Sequence, residues 1–422
     1  MKNYLQLTRH TGNTALFLAV EMSLVSTLQG RPLHIHAEGL RGTGKTTIMR
    51  SVTQILPKIT RIKGCLYNCD PERPHCPQHK NMTPEEIAAL GTEQIPVPFL
   101  EISHSAKIGT VAGTIDLGKL TNPSRPEAAL LPGIIPQAHR GIVFVDEINR
   151  LADTSPEITD VLLDAMGTKP GRVQIEETGL PVVEVPVAVS VWAASNPDEE
   201  PGPLAEIRRQ LSDRFDLVIP MGRPTTPEEV VDILTTEEAK NDRELSEQER
   251  SQLEQLRKNL ENIALHSDLT MPDYLTTFLA NLYINFNIES LRALEAIRQA
   301  ALLHCALRKR SQVMISDIMA VLPLALYHRV SPATLTEIMN TVNNRMVGNG
   351  KEKENGKRSA QGRQLPPIFH NKKGDKRQMS EDSPPEKARL LRDLPENGII
   401  RKESEIQTMI EKLTPRTWGV DT

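Results

Sequence analysis

Gly39-Leu40-Arg41-Gly42-Thr43-Gly44-Lys45-Thr46 stands between an apolar run, Leu33-His34-Ile35-His36-Ala37, and a helix-like stretch expected from Thr46 to Leu56. Strand, G-x-x-x-x-G-K-T loop and helix in that order form a phosphate loop. The glycines let the backbone turn tightly and aim its N–H groups inward. Lys45 supplies a positive charge for the β- and γ-phosphates, and Thr46, followed by Thr47, offers a hydroxyl to Mg²⁺ where the helix dipole adds to the field. The expected ligand is a nucleoside triphosphate with Mg²⁺, ATP being the natural candidate.

Further along, Gly141-Ile142-Val143-Phe144-Val145 is an apolar run that ends in Asp146-Glu147. Both carboxylates then fall at the carboxyl end of a buried strand, where ligands of open α/β sheets bind. Asp146 is expected to serve the Mg²⁺ shell and Glu147 to orient and deprotonate the attacking water. The plainer alternative is a strand running out into a charged turn. A third strand candidate ends in Ala193-Ala194-Ser195-Asn196-Pro197, which brings an amide to the same edge, where Asn196 is placed to hold the water or the γ-phosphate.

The chain has 422 residues, a formal charge of −4 and 38% hydrophobic residues. That suffices for two compact domains, and the charge balance excludes a nucleic-acid scaffold held by bulk charge. No run approaches the roughly 20 apolar residues of a membrane span, and Met1 to His10 lacks a signal-peptide core, so a cytoplasmic protein without a membrane partner is expected. Strand candidates at 33–37, 97–102, 141–145, 187–194 and 217–220 alternate with helical runs, beginning with one over Asn13 to Leu28. That rhythm predicts an α/β fold, a parallel sheet flanked by helices, over residues 1–222. Thr83-Pro84-Glu85-Glu86 is a capping box with proline at the first helical position, so a short helix to Leu90 is expected. Runs at 172–177 and 182–185 around Thr178-Gly179-Leu180-Pro181 predict a hairpin. Residues 223–346 carry only helical patterns and are expected to form an all-helical lid. Residues 347–422, rich in charge, glycine and proline, predict a disordered tail with one short helix at Lys402 to Leu413.

Leu211-Ser212-Asp213-Arg214-Phe215-Asp216 completes a motif set that resembles the AAA+ ATPases, and more narrowly the small motor subunit of magnesium chelatase. The narrower likeness rests on Gly109-Thr110-Val111-Ala112-Gly113-Thr114-Ile115-Asp116, on Pro132-Gly133-Ile134 and on the hairpin. It covers roughly Met1 to Met346. The resemblance implies that Arg214 is an arginine finger reaching a neighbour's active site, and that Arg292, in Ser290-Leu291-Arg292, is the sensor-2 arginine of the lid. It also implies a homo-oligomeric ring, a hexamer, working with a larger chelatase subunit that carries an AAA+ region and a von Willebrand A-type domain. Arg208 and Arg209 are alternative trans contacts, and an ion pair of Arg214 with Asp213 or Asp216 is the bland alternative. Asp216 stands where that family usually has glycine. Two other readings compete: a MoxR-like remodeller acting through a von Willebrand A-type partner, and a nucleotide-gated binding module using the basic segment Lys351 to Arg389.

Three of the four cysteines crowd into an insert at 61–82, where Cys65, Cys69, Cys76 and His79 form C-x₃-C-x₆-C-x₂-H. Three thiolates and an imidazole make a tetrahedral Zn²⁺ set, and a loop with little apolar content gains order from a metal. His75 competes with His79 as fourth ligand. A reduced, unligated loop and an iron–sulfur cluster are the other readings. Cys305, beside Leu302 and Leu303, is expected to be a buried helix residue.

Overall fold

Every strand expected around the phosphate loop is present, in an order the chain itself does not announce. The computed structural model describes residues 3–115, 130–167, 170–176, 182–238 and 245–351. Helix α1 (Thr14–Leu28) leads into β1 (Ile35–Gly39), the loop and α2 (Lys45–Ser51). Strand β2 (Lys58–Ile62), helix α3 (Pro84–Leu90) and strand β3 (Thr92–Pro96) come next, then β4 (Phe99–Ile102). Short α4 (Ile108–Val111), β5 (Gly113–Ile115), β6 (Leu130–Pro132) and α5 (Ile134–Gln137) precede β7 (Gly141–Val145). After α6 (Ile148–Thr154) and α7 (Pro156–Ala165), the hairpin β8 (Gly171–Ile175) and β9 (Val183–Val187) leads to β10 (Val189–Ser195). Helices α8 (Leu204–Ile207) and α9 (Arg209–Arg214) return the chain to β11 (Leu217–Met221).

The main sheet is parallel in the order β11-β1-β10-β7-β4. All residues of β7, β10 and β11 are buried, as strands covered on both faces require. Register pairs Ala37 with Ala194, and Ala193 with Val145, so the carboxyl ends of β1, β10 and β7 lie side by side. Strand β10 therefore sits between the phosphate loop and the acid pair.

The lid comprises α10 (Pro227–Glu238), α11 (Glu247–His266), α12 (Asp273–Asn285), α13 (Leu291–Leu307), α14 (Ile315–Leu326) and α15 (Pro332–Lys351). No strand follows β11 among the described residues. Lid side chains such as Leu260, Phe278, Ile297 and Leu322 share one apolar cluster with α1 and the sheet face carrying Ile142, Phe144 and Trp192. Gln299 Nε2 donates to Ser26 Oγ at 2.7 Å, and Gln29 Nε2 to Ser267 Oγ at 2.7 Å. The lid is thus packed onto the core through a continuous interior.

Several expectations need correction. The helix after the phosphate loop ends at Ser51 and tightens into a 3₁₀ turn, Val52–Gln54, rather than reaching Leu56. Pro57 and the start of β2 explain why the chain cannot stay helical. The run 97–102 enters the main sheet only at Phe99, because the residues before Val97 pair with β2 instead. The Cys-rich segment is no bare loop: it closes a two-stranded antiparallel sheet of β2 and β3 and its buried side chains join the apolar cluster of β7. The capping box at Thr83 forms with both reciprocal hydrogen bonds. The hairpin tip at 178–181, Asp116, and the tail from 352 on, including the short helix expected at 402–413, lie outside the described residues.

Candidate active site

Gly42 and Gly44 turn the loop through left-handed backbone, at φ +74° and +83°, and Gly44 caps α2 in that conformation. A side chain at either position would strain the turn. A cleft of about 400 Å³ opens at this loop, lined by Arg41, Gly42, Thr43, Gly44, Lys45, Thr46, Thr47, Asp146, Glu147, Ser195 and Asn196. The residues singled out by the sequence from three separate strand ends therefore meet in one cleft.

Within it, Lys45 Nζ donates to Asn196 Oδ1 at 2.8 Å and to the carbonyls of Gly39 and Leu40 at 2.6 and 2.7 Å. Burial pushes the Lys45 ammonium down to about 8, against the pull of Asp146, Glu199 and neighbouring carboxylates. Thr46 Oγ1 donates to Asp146 at 3.1 Å, so a hydroxyl and a carboxylate converge as hard oxygen donors suited to Mg²⁺. Arg50, one turn beyond Thr46, forks onto Glu101 at 3.0 Å and lies 3.7 Å from Asp146. Arg41 is tied to Glu199.

Glu147 is a non-glycine residue at φ +52°, where it caps α6, and its carboxylate pairs with Arg150 at 3.0 Å. Left-handed backbone at such a residue costs roughly 1–2 kcal/mol. Beneath the cleft, His36 Nε2 lies 2.8 Å from Ser195 Oγ. Burial, reinforced by the Lys45 charge, pulls His36 down to about 3, which keeps it neutral.

Neither Arg214 nor Arg292 lines this cleft. They sit near each other instead, where burial first and the charge of Arg292 second lower the Arg214 guanidinium. The alternative ion pairs do not form. Asp213 pairs with Arg329 at 3.2 Å, and Asp216 accepts from the backbone N–H of His34 at 2.7 Å while its own N–H donates to the His34 carbonyl at 2.9 Å. Asp216 thus joins the segment around Arg214 to the residue that precedes β1. Arg208 and Arg209 are engaged by Asp160 and Glu289.

Arg329 was not foreseen from the sequence. Its side chain is 4% exposed and grips the segment around Arg214, donating to the carbonyls of Asp213, Phe215 and Asp216 at 2.8, 2.9 and 3.3 Å. A lone arginine after a helix gives no signal of this in one dimension. Arg50 was legible in principle, since its spacing from Thr46 puts both on one face of α2.

Cys65, Cys69, Cys76 and His79 are all buried and come together, their ligand atoms within 4.8 Å of one another. Cys305 is buried in α13, as expected.

Comparison with known proteins agrees with this geometry. Residues 277–344 match the model of the AAA lid domain. The magnesium-chelatase 38 kDa subunit of Acidiphilium rubrum is 29% identical over 78% of this chain and 92% of its own. The chloroplastic magnesium-chelatase subunit ChlI-2 of Arabidopsis thaliana is 32% identical over 69% of this chain and 68% of its own, and the chloroplastic ChlI subunit of Oryza sativa subsp. indica is 32% identical over 71% and 70%. The chain belongs to the magnesium-chelatase ChlI family of AAA+ proteins. The α/β core, the helical lid and the order of motifs are those expected from that membership. Among the described residues no helix is long and apolar enough to cross a membrane.

Proposed function

We propose that the chain is a Mg²⁺-dependent ATPase working as a homo-oligomeric ring, a hexamer, that drives a chelatase-type metal-insertion complex in the cytoplasm. Its partner is a larger AAA+ subunit with a von Willebrand A-type domain, and the acceptor of the inserted metal is a porphyrin held by a further subunit. Relatives that carry magnesium-chelatase names favour this partner over that of a MoxR-like remodeller. ATP and Mg²⁺ are its cofactors at the cleft, with Zn²⁺ in the Cys-rich insert.

One observation carries the reading: Arg214 and Arg292 lie within electrostatic reach of each other and outside their own chain's cleft, and neither side chain has a hydrogen bond or ion pair among the described residues. Asp213 and Asp164 offset only part of the burial and of the repulsion by Arg292 that lower the Arg214 guanidinium, and a γ-phosphate of the neighbouring subunit would relieve the rest. Inside the cleft the arginine, Arg41, is already committed to Glu199. Hydrolysis then divides across the interface. Lys45 and the loop N–H groups would hold the phosphates, Thr46 and Asp146 would hold Mg²⁺, which would offset phosphate charge, and Asn196 would hold the water or the γ-phosphate. Glu147 takes the water's proton while Arg214 stabilises charge building on the γ-phosphoryl group.

The test is subunit mixing. Arg214→Ala and Lys45→Ala chains, each inactive alone, should regain part of the wild-type ATPase rate when mixed, because one interface joins an intact loop to an intact finger. Absence of recovery at every ratio, in rings shown to be mixed, would refute the trans assignment.

A further inference from the structure

The insert that contributes nothing to the cleft holds the most concentrated set of metal-binding atoms in the described chain. Cys65, Cys69, Cys76 and His79 are at most 7% exposed, and His79 Nδ1 lies 3.1 Å from Cys76 Sγ. Three sulfurs and one imidazole nitrogen lie within 4.8 Å of one another, and small side-chain rotations bring them to the roughly 3.3–3.8 Å edges of a tetrahedron with bonds of about 2.0–2.3 Å. The backbone N–H groups of His75 and Cys76 both point at Cys69 Sγ, at 3.4 and 3.3 Å. Such donors favour a thiolate over a thiol, and the thiolate is the ligand.

His75 stands at the edge of this set: its Nδ1 is 3.3 Å from Cys69 Sγ, but it is not one of the four whose ligand atoms all lie close to one another. Its ring stacks on His139 at 3.8 Å, and His139 Nδ1 accepts the Ala188 N–H at 3.1 Å. The same segment is tied down by Asn68 Nδ2, which donates to the Gln137 carbonyl at 2.5 Å, and by Arg140, which pairs with Asp70 at 3.5 Å and donates to the Thr60 carbonyl at 2.7 Å. All these contacts converge on residues 137–140, the turn that enters β7, and on Ala188, where the β8–β9 hairpin passes into β10. Asp146 and Glu147 leave β7 at its other end, roughly 16 Å away at about 3.3 Å per residue.

We infer that Cys65, Cys69, Cys76 and His79 bind one structural Zn²⁺ that pins the insert against the entry of β7 and the root of the β8–β9 hairpin. Thiolates select zinc over the hard cations that serve the nucleotide, so the two metal positions do not compete for the same ion. The site holds the base of the insert and the hairpin in a fixed mutual position, and it acts on the cleft only through the sheet. This inference stands apart from the ATPase reading and does not depend on it.

The full-length protein, purified without chelator, should carry about one equivalent of zinc per chain by elemental analysis. Cys69→Ser and His79→Ala should each lose it, while His75→Ala should keep it. Because a ligand variant can misfold, the wild-type chain is also stripped with a chelator and reloaded with zinc alone. Stripping should expose residues 63–82 to protease or hydrogen exchange, reloading should restore protection, and ATP affinity should change by less than about twofold. Metal-free protein with a protected insert, iron in place of zinc, or zinc retained in Cys69→Ser would each overturn the assignment. Zinc lost in His75→Ala and kept in His79→Ala would overturn the fourth ligand, and loss of ATP binding on stripping would overturn the independence of the two sites. A chain that binds zinc as expected but fails to hydrolyse ATP in any assembly would sink the ATPase reading alone.

Discussion

The nucleotide cleft and the Cys-rich insert both gather polar side chains from distant points of the chain, but they satisfy them differently. In the cleft each group already has a protein partner: Lys45 with Asn196, Thr46 with Asp146, Arg50 with Glu101, Glu147 with Arg150. Those partners are half-exposed and can be exchanged for phosphate, metal or water. In the insert the four ligands are buried and face one another. A cleft braced by its own ion pairs keeps its shape with or without a ligand and is suited to turnover. A buried cluster of thiols, one of them already approached by backbone N–H groups, is suited to a resident ion that forms part of the fold.

The sharpest way to break this contrast is Glu147→Gln. The amide keeps size and the cap of α6 but cannot take a proton, so ATP binding should persist while turnover falls by about 10²–10⁴-fold. Lys45→Ala should lose binding itself. Steady-state hydrolysis together with nucleotide titration separates the two, and a wild-type rate in Glu147→Gln would remove Glu147 as the base.

Next in size is Arg329, which ties the lid to the segment around Arg214. Arg329→Lys cannot reach three carbonyls and a carboxylate at once. A misplacement of about 1 Å at Arg214 is enough for a loss of up to about 10²-fold in kcat. ATP affinity should hold, and the substitution should add little in an Arg214→Ala background. An effect of equal size in both backgrounds would reduce Arg329 to a stability residue.

A smaller effect concerns protons. With the Lys45 ammonium held down to about 8 by burial, the free protein loses this charge above that pH, whereas bound phosphates restore it. ATP affinity should therefore weaken by up to about tenfold per pH unit above 8, and binding there should take up a proton. Calorimetry in buffers of different ionisation enthalpy reads that uptake; none at pH 8.5 would contradict it. The weakest effect lies behind the cleft. His36 resists protonation down to about 3 in the fold but titrates near 6.5 once unfolded. Its stability contribution is complete above 6.5 and is lost as pH falls toward 3, at about 1.4 kcal/mol per unit. His328, held well below its usual range by burial, acts in the same direction. Thermal melts of zinc-stripped protein between pH 7 and 5.5 isolate this effect from acid release of the metal, and melts that do not shift over that interval would contradict it.

The motifs of the cleft were legible because each is local. Gly39 to Thr46, the apolar run into Asp146 and Glu147, and Asn196 each carry their chemistry within a few residues and end a strand whose pattern is plain. The capping box at Thr83 was legible for the same reason. The pairing of β2 with β3 was not: Lys58 to Ile62 alternates too weakly to declare an edge strand, and its partner lies thirty residues on, beyond the insert. Arg329 was invisible because most of its partners are carbonyls, which every residue has, and its one carboxylate, Asp213, lies 116 positions away.

Sequence by itself determined which residues carry charge and ligand atoms, which stretches form the strands of the main sheet, and that three cysteines and a histidine recur at metal-binding spacing. The tertiary structure decided their company. Parallel pairing put β10 between β1 and β7, so that Asn196 reaches Lys45 across 151 positions of chain. Packing brought His79 to the three thiols and stacked His75 on His139, and it left Arg214 and Arg292 outside the cleft of their own loop. The physical reason is one of range. Propensity, capping and motif chemistry act over a few residues, whereas strand order and side-chain partners are set by burial of apolar faces that meet only when the whole chain has folded.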